Sequence, residues 1–77
     1  MLFFASYRDI AGVPEMPADL PDGATVEDAS TWLVGRYPKF GEALPKGRVA
    51  VNLEFVGQGQ ALHDGDEVAF MPPMSGG

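Results

Sequence analysis

The chain has 77 residues and a formal net charge of −6, from eleven acidic and five basic side chains. This length accommodates a single domain, and the acidic balance argues against binding of DNA or RNA through phosphates. The sequence contains no cysteine, which excludes disulfides, thiolate metal sites and a cysteine nucleophile. It shows neither a membrane-spanning apolar run nor a signal peptide, so a cytoplasmic location without membrane contact is expected.

The first quarter of the chain predicts two paired strands. Residues 1–7 are apolar and aromatic without a turn residue, which is typical of a buried central strand. A turn is expected at 10–14. Residues 15–20 alternate loosely and are expected to pair with the first strand as a hairpin, at an edge because Pro14 and Pro17 are tolerated there.

The next segment carries a complete helix signature. Thr25 is a good N-cap, and Asp28 three residues later resembles a shortened capping box. The helix is predicted over 26–36, with an apolar stripe that lies on the sheet. The stripe comprises Val26, Ala29, Leu33 and Tyr37. Trp32 borders it and is expected to be a partly buried packing residue.

The second half predicts three further strands. Residues 39–47 are expected to form a loop, followed by strands at 48–51 and 54–56 around a turn at Asn52. The last strand, 67–71, is expected to run parallel beside the first, because the helix between them permits such a crossover. The order β-β-α-β-β-β predicts an α+β fold of the ubiquitin-like β-grasp kind, a mixed sheet with one main helix packed on one face.

The sequence before the final run of residues offers few candidates for a catalytic or metal-binding site. Asp64, Asp66 and Glu67 are too closely spaced for an EF-hand calcium loop, and a turn with solvated carboxylates is expected instead. His63 is the only histidine and cannot anchor a zinc site without a second strong ligand. Residues 57–59 lack the rest of a phosphate-binding fingerprint. No metal site is therefore predicted.

The chain ends with an unusual run of residues. This run is Pro72, Pro73, Met74, Ser75, Gly76 and Gly77. The two prolines end a strand at Met71, and the six residues that follow it can reach about 20 Å as a flexible tail. The final pair lacks side chains and can enter a channel too narrow for a Cβ. The functional group at its end is the α-carboxylate of Gly77, which becomes reactive once ATP activates it as an acyl-adenylate.

The ending from Asp64 to Gly77 resembles that of the small subunit of molybdopterin synthase, a family of ubiquitin-like sulfur carriers. The family has DGDEVA, two hydrophobic residues, two prolines, an aliphatic residue, Ser or Thr, and then Gly-Gly. Met74 stands where the family more often has Val. Residues 2–9 also resemble the family's opening strand, and 49–52 its central strand, so the resemblance spans the chain.

The resemblance implies a function for the tail. An adenylating enzyme related to the ubiquitin-activating enzymes, with ATP, would activate Gly77 and a sulfurtransferase system would convert it to a thiocarboxylate. The large catalytic subunit of the synthase would then receive the tail, and the sulfur would pass to a cyclic pyranopterin precursor in molybdenum cofactor biosynthesis. By itself the chain would be a carrier without catalytic activity or bound cofactor.

The resemblance also implies roles for particular residues. Gly77 would react, while Gly76 and Ser75 would thread the tail into its channel. Five further residues would bind the partner through an apolar patch beside the tail. These are Phe55, Met71, Pro72, Pro73 and Met74.

Three alternatives stay open. A sulfur carrier for thiamine synthesis or tRNA thiolation would share the fold and the Gly-Gly end, although residues 72–75 favour the molybdopterin branch. A ubiquitin-like protein modifier would use the same adenylate to form an isopeptide bond. An interaction domain with an inert tail would need no activation at all.

Overall fold

The computed structural model describes residues 1–17 and 20–73. Its elements in chain order are β1 (Leu2–Phe3), α1 (Ser6–Ala11), α2 (Val26–Arg36), α3 (Phe40–Ala43), a 3₁₀ turn (Leu44–Lys46), β2 (Arg48–Val51), β3 (Glu54–Val56) and β4 (Val68–Met71). The strands form one mixed sheet in the order β1-β4-β2-β3. The predicted parallel pairing of the last strand with the first is confirmed, and the other neighbours are antiparallel. Within the ranges described, no helix combines the length and the apolar character needed to cross a membrane.

Helix α2 has the bounds and the capping box that the sequence predicted. The Thr25 hydroxyl accepts a hydrogen bond from the backbone N–H of Asp28 at 3.3 Å, and the Asp28 carboxylate accepts one from the N–H of Thr25 at 2.9 Å. Its buried side chains are the apolar stripe Val26, Ala29 and Leu33. Trp32 is half-buried against the core, as expected. Reciprocal capping of this kind satisfies two N–H groups that the first turn leaves free.

The core lies between the sheet and the helices and is built around aromatic rings. Phe3 of β1 stacks on Phe70 of β4 and on Phe40 of α3, with ring centroids 6.0 and 5.7 Å apart. Tyr7 of α1 meets Phe40 edge-on at 5.6 Å. Offset and edge-to-face pairs at these distances stabilise a core beyond their buried area.

The prediction of a central strand over 1–7 is wrong. Only Leu2 and Phe3 form a strand, and β1 lies at one end of the strand order while β4 lies inside it. The chain turns at Ala5, whose φ is +50°, and then forms α1, which ends at Gly12 with φ +79°. Tyr7 and Ala11, four residues apart, are both buried. This i, i+4 spacing places both side chains on one face of the helix. The unbroken apolar run over residues 1–7 favoured a strand and obscured this helical pattern.

The predicted strand at 15–20 forms only in part. Leu2 and Glu15 make an antiparallel bridge, flanked by hydrogen bonds from the Phe3 N–H to the Pro14 carbonyl and from the Met16 N–H to the Met1 carbonyl, both 2.9 Å. The described part of this segment holds no further strand pairing. Pro17 has no N–H to extend the ladder, and residues 18–19 lie outside the described ranges.

The prediction of a loop over 39–47 is also wrong. Phe40 and Leu44, four residues apart, are both buried and give this segment its helical turns. At the next element, β4 begins at Val68 rather than at the predicted Glu67. The reason is that the Glu67 N–H donates to the side-chain oxygen of Asn52 at 3.0 Å, and not to a neighbouring strand.

Candidate functional site

The strands point one set of side chains at the helices and the other set away from them. Phe3, Phe70 and Val49 are paired neighbours and are buried in the core. Because successive side chains in a strand alternate, the residues between them point to the opposite side. Phe4, whose N–H donates to the Phe70 carbonyl at 3.3 Å, continues this alternation past β1. We call the resulting surface the outer sheet face; it comprises Leu2, Phe4, Ala50, Phe55, Ala69 and Met71.

Two aromatic rings dominate the outer sheet face. Phe55 is 60% exposed and Phe4 is 47% exposed, whereas Met71 is half-buried. The Arg48 guanidinium lies 4.4 Å from the centre of the Phe55 ring, within the range of a cation–π interaction. Exposed rings concentrated on one side of a small domain are typical of a protein-binding surface.

The residues predicted to form the tail follow β4, one of the two inner strands of the sheet. Met71 is the last residue of β4, which is bonded to β1 on one side and to β2 on the other. Pro72 is half-buried and Pro73 is exposed. Both prolines line a cavity of about 310 Å³ together with Lys39 and Lys46. We call this region, where β4 passes into Pro72, the tail root.

The predicted site residues divide into two groups. Phe55, Met71, Pro72 and Pro73 lie at or next to the outer sheet face and the tail root. The other four predicted residues lie outside the described ranges, and their roles stay predictions. They are Met74, Ser75, Gly76 and Gly77.

Neither Phe4 on the outer sheet face nor Arg48 beside its Phe55 ring was among the predicted site residues. Phe4 was assigned to a strand buried on both sides, but the alternation of Leu2, Phe3 and Phe4 carries the signal that distinguishes them. Arg48 is the first residue of the predicted strand over 48–51, to which no binding role was given. Its place two residues before Ala50, the cross-strand partner of Phe55, makes it a diagonal neighbour of that ring.

The acidic turn before β4 has a structural role. The Asp66 carboxylate accepts hydrogen bonds from the His63 N–H at 2.8 Å and from the Asn52 side-chain amide at 2.9 Å. These bonds hold the pKa of Asp66 below its ordinary value of 3.8. Over residues 1–17 and 20–73, no three His, Cys, Asp or Glu side chains come together as a metal-binding group.

Comparisons with known proteins place these features in a family. The chain is 40% identical over 79 aligned positions to the molybdopterin synthase sulfur carrier subunit of Chlamydomonas reinhardtii, in an alignment that covers all of this chain and 95% of that protein. It is 37% identical over 82 positions to small archaeal modifier protein 1 of Haloferax volcanii, covering 96% of this chain and 94% of that protein.

A solved structure agrees with the fold. The crystal structure of SAMP1 from Haloferax volcanii matches with a TM-score of 0.83 and 36% identity, covering 99% of this chain and 94% of that one. This agreement confirms the α+β, ubiquitin-like β-grasp fold. The ThiS family matches residues 1–77, the full length of the sequence. On this full-length match, the chain belongs to the ThiS family.

Proposed function

We propose that this chain is the sulfur-carrier subunit of a molybdopterin synthase, and that its reactive group is the α-carboxylate of Gly77. The observation that carries the proposal is an exposed apolar sheet face whose inner strand continues directly into the Pro-Pro and Gly-Gly ending. Full-length similarity to a molybdopterin synthase sulfur carrier subunit supports the same function.

The chemistry proceeds in one activation step at phosphorus and two exchanges at the Gly77 carbonyl carbon. A carboxylate oxygen of Gly77 attacks the α-phosphorus of ATP, which forms an acyl-adenylate and releases pyrophosphate. Sulfur at the sulfide level then attacks the carbonyl carbon and displaces AMP, which gives the thiocarboxylate; a persulfide donor would first give an acyl disulfide, which a thiol reduces to the thiocarboxylate. The sulfur of that group is finally transferred to a cyclic pyranopterin precursor, and water restores the carboxylate. The chain supplies the reacting carbon, and its partners supply the catalytic groups.

Two partners are part of the proposal. The large catalytic subunit of the synthase binds the outer sheet face and receives the tail, and an ATP-using adenylating enzyme related to the ubiquitin-activating enzymes loads Gly77. Phe55 and Met71 contact the partner, and Phe4 extends the contact across β1. Pro72, Pro73 and Met74 direct the tail, while Ser75 and Gly76 pass the narrow part of the channel. These reactions belong to the cytoplasm, where we expect the protein.

The direct test is chemical loading of the carrier. Incubation with ATP, a matching activating enzyme and a sulfur donor is expected to exchange one terminal oxygen for sulfur. Intact-mass spectrometry measures the exchange, and fragmentation locates it at Gly77. An unchanged mass, in the presence of an activating enzyme that loads its own cognate carrier, would refute the proposal. The loaded carrier is then mixed with the large subunit and the cyclic pyranopterin precursor. Sulfur transfer to this precursor would distinguish a molybdopterin synthase subunit from a carrier for thiamine synthesis or tRNA thiolation.

The similarity to small archaeal modifier protein 1 supports a second candidate, a protein modifier. In that case a lysine amine attacks the adenylate and an amide bond replaces the thiocarboxylate. The two functions differ in their products. Conjugates that survive denaturation and thiol reductants, and that contain an amide between Gly77 and a lysine, would identify a modifier. A thiocarboxylate without such conjugates identifies a carrier.

A further inference from the structure

Gly47 lies immediately before β2 and is packed against the end of β4. A Cβ built on Gly47 would overlap both the Tyr7 hydroxyl and the Met71 carbonyl oxygen, and would lie 2.9 Å from the Tyr7 Cζ atom. The backbone of Gly47 is extended, with φ −99° and ψ −165°, which any residue can adopt. Gly47 is therefore required by the space available and not by its conformation.

The Met71 carbonyl belongs to the peptide unit that joins the sheet to the tail. Its orientation fixes the direction in which Pro72 leaves β4, because the peptide is planar and the φ of each proline is nearly fixed. Two prolines in the polyproline conformation extend about 6 Å. A rotation of about 10° at this peptide would move the far end of Pro73 by about 1 Å. Gly77 lies four residues further along the chain, and a displacement of about 1 Å that reaches the reacting carbon can cost about 100-fold in rate.

Tyr7 completes the contact from the side of the helices. It is 2% exposed, and its hydroxyl donates a hydrogen bond to the Ala43 carbonyl at 2.6 Å. The Tyr7 ring packs nearly perpendicular to the ring of Phe40, and Tyr7 also lines the cavity beside Pro72 and Pro73. The Tyr7 hydroxyl and the Met71 carbonyl oxygen together occupy the space that a Cβ at position 47 would need.

We propose that Gly47 and Tyr7 are positioning residues, which fix the Met71–Pro72 peptide and thereby aim the tail into the partner's channel. The inference rests on the proposed carrier function and adds two residues that do not carry the reacting carbon. Gly47 packs against the backbone carbonyl of Met71, whose side chain belongs to the outer sheet face. The proposal predicts that substitutions at these two residues slow sulfur transfer without changing the Kd of docking. It also predicts that transfer stays slow in a variant whose stability has been restored.

The test uses full-length carriers with the thiocarboxylate installed chemically at Gly77, by reaction of an intein thioester with hydrosulfide. Single-turnover transfer is measured at saturating large subunit, and the Kd of docking is measured by calorimetry. Gly47→Ala is expected to transfer sulfur about 100-fold more slowly than the wild type, with a Kd within about twofold. Val51→Ala, which shortens a buried side chain at the far end of β2, is the stability control and is expected to transfer at the wild-type rate.

A double variant separates position from stability. Tyr7→Phe combined with Gly47→Ala removes the overlap with the hydroxyl but leaves both the overlap with the Met71 carbonyl and the 2.9 Å approach to the ring Cζ atom. We expect this protein to regain stability relative to Gly47→Ala and to remain slow in transfer. Recovery of the rate together with the stability would overturn the proposal, as would a wild-type rate for Gly47→Ala.

If Gly47→Ala does not fold, Tyr7→Phe alone tests the positioning role. Loss of the hydrogen bond to Ala43 is expected to slow transfer about tenfold with unchanged docking, and a wild-type rate would overturn the proposal. The wild-type protein provides the separate check on the proposed function. If loaded wild-type carrier transfers no sulfur, the carrier function fails; if it transfers normally and the variants do too, only the positioning role fails.

Discussion

At the scale of single residues, the outer sheet face depends on two aromatic rings that the fold leaves in contact with solvent. Phe55 and Phe4 are 60% and 47% exposed in a protein whose net charge is −6. Arg48 covers part of the Phe55 ring with its guanidinium. Aromatic and arginine side chains contribute more than other residues to binding energy at interfaces. Phe4, Phe55 and Arg48 are accordingly the expected energetic centre of partner binding.

Substitution of either ring tests this role. Phe55→Arg is expected to weaken binding to the large subunit by about 2 kcal/mol or more, because it replaces an apolar anchor with a second cation beside Arg48. Phe4→Arg is expected to weaken binding in the same direction. Both side chains are exposed, so the folded structure should persist. Calorimetry measures the affinity, and circular dichroism checks the fold.

Leu53 provides a matched control for both substitutions. It lies at the tip of the β2–β3 hairpin and is 90% exposed. Leu53→Arg makes the same change from apolar to cationic outside the outer sheet face, and is expected to leave affinity within about twofold. Equal effects of Leu53→Arg and Phe55→Arg would point to net charge and away from a local contact. Unfolding of Phe55→Arg would instead identify Phe55 as a core residue.

At the scale of the elements, one asparagine connects the β2–β3 hairpin to the turn before β4. The side chain of Asn52 donates to the Asp66 carboxylate at 2.9 Å and accepts from the Glu67 N–H at 3.0 Å. Its own backbone N–H donates to the Glu67 carbonyl at 2.8 Å. This junction closes the end of the sheet opposite the tail root. It also contains Asp66, whose pKa these hydrogen bonds lower.

The lowered pKa of Asp66 predicts a pH dependence of stability. Below its ordinary pKa of 3.8, the unfolded chain binds a proton that the folded protein does not. The contribution of Asp66 to the free energy of unfolding is therefore complete above pH 3.8 and is lost as the pH falls through the lower pKa of the folded protein. Asp66→Asn is expected to reduce the fall in stability as the pH decreases below 3.8.

Urea unfolding at each pH measures this dependence. Asp64→Asn is the control, since Asp64 is in the same turn and its side chain makes no hydrogen bond to any described residue. An Asp66→Asn protein with the wild-type pH profile would show that the carboxylate's hydrogen bonds do not stabilise the fold.

The elements that the sequence predicted well are those with a complete local signal. Helix α2 has its capping box and apolar stripe, and Asn52 marks the hairpin turn with φ +51°. Helices α1 and α3 have six and four residues, too few to be stable on local propensity. They exist because Tyr7 and Phe40 pack into a core formed by distant strands. Long-range contacts of this kind cannot be read from a short window.

The same distinction holds for the candidate site. Phe55 and the Pro-Pro run were identifiable because a short outer strand and a strand end are local features. For Phe4, the alternation along residues 2–4 separates it from the buried Phe3, but its exposure follows from β1 being a short strand with one open face. Gly47 gave no signal in the sequence. Its importance depends on the approach of Met71 and Tyr7, which only the folded structure brings together.

At the scale of the whole molecule, docking and delivery occupy one end of the sheet. Phe4 and Met71 of the outer sheet face lie beside the tail root, so a partner bound there is already next to the start of the tail. If the partner binds there, the distance that the tail can extend into the partner's channel is counted from Met71. The position of the Gly77 carbon depends on the number of residues after Met71, which is six.

A one-residue extension tests this dependence on length. One alanine added after Gly77 moves the terminal carboxylate by about 3.5 Å, which is expected to reduce sulfur transfer by more than about 100-fold. The Kd for the large subunit should be unchanged because the outer sheet face is unchanged. Product formation and calorimetry measure the two effects separately. Normal transfer by the extended protein would favour the interaction-domain alternative.

The position of β4 between two neighbouring strands also determines how the molecule responds to force. Hydrogen bonds in the ladders to β1 and β2 run across the strand direction. Tension applied at Met71 along the strand direction therefore loads the hydrogen bonds of both ladders together, in shear. Removal of β4 from the sheet has to break two ladders, whereas removal of a strand at the edge of the sheet breaks one.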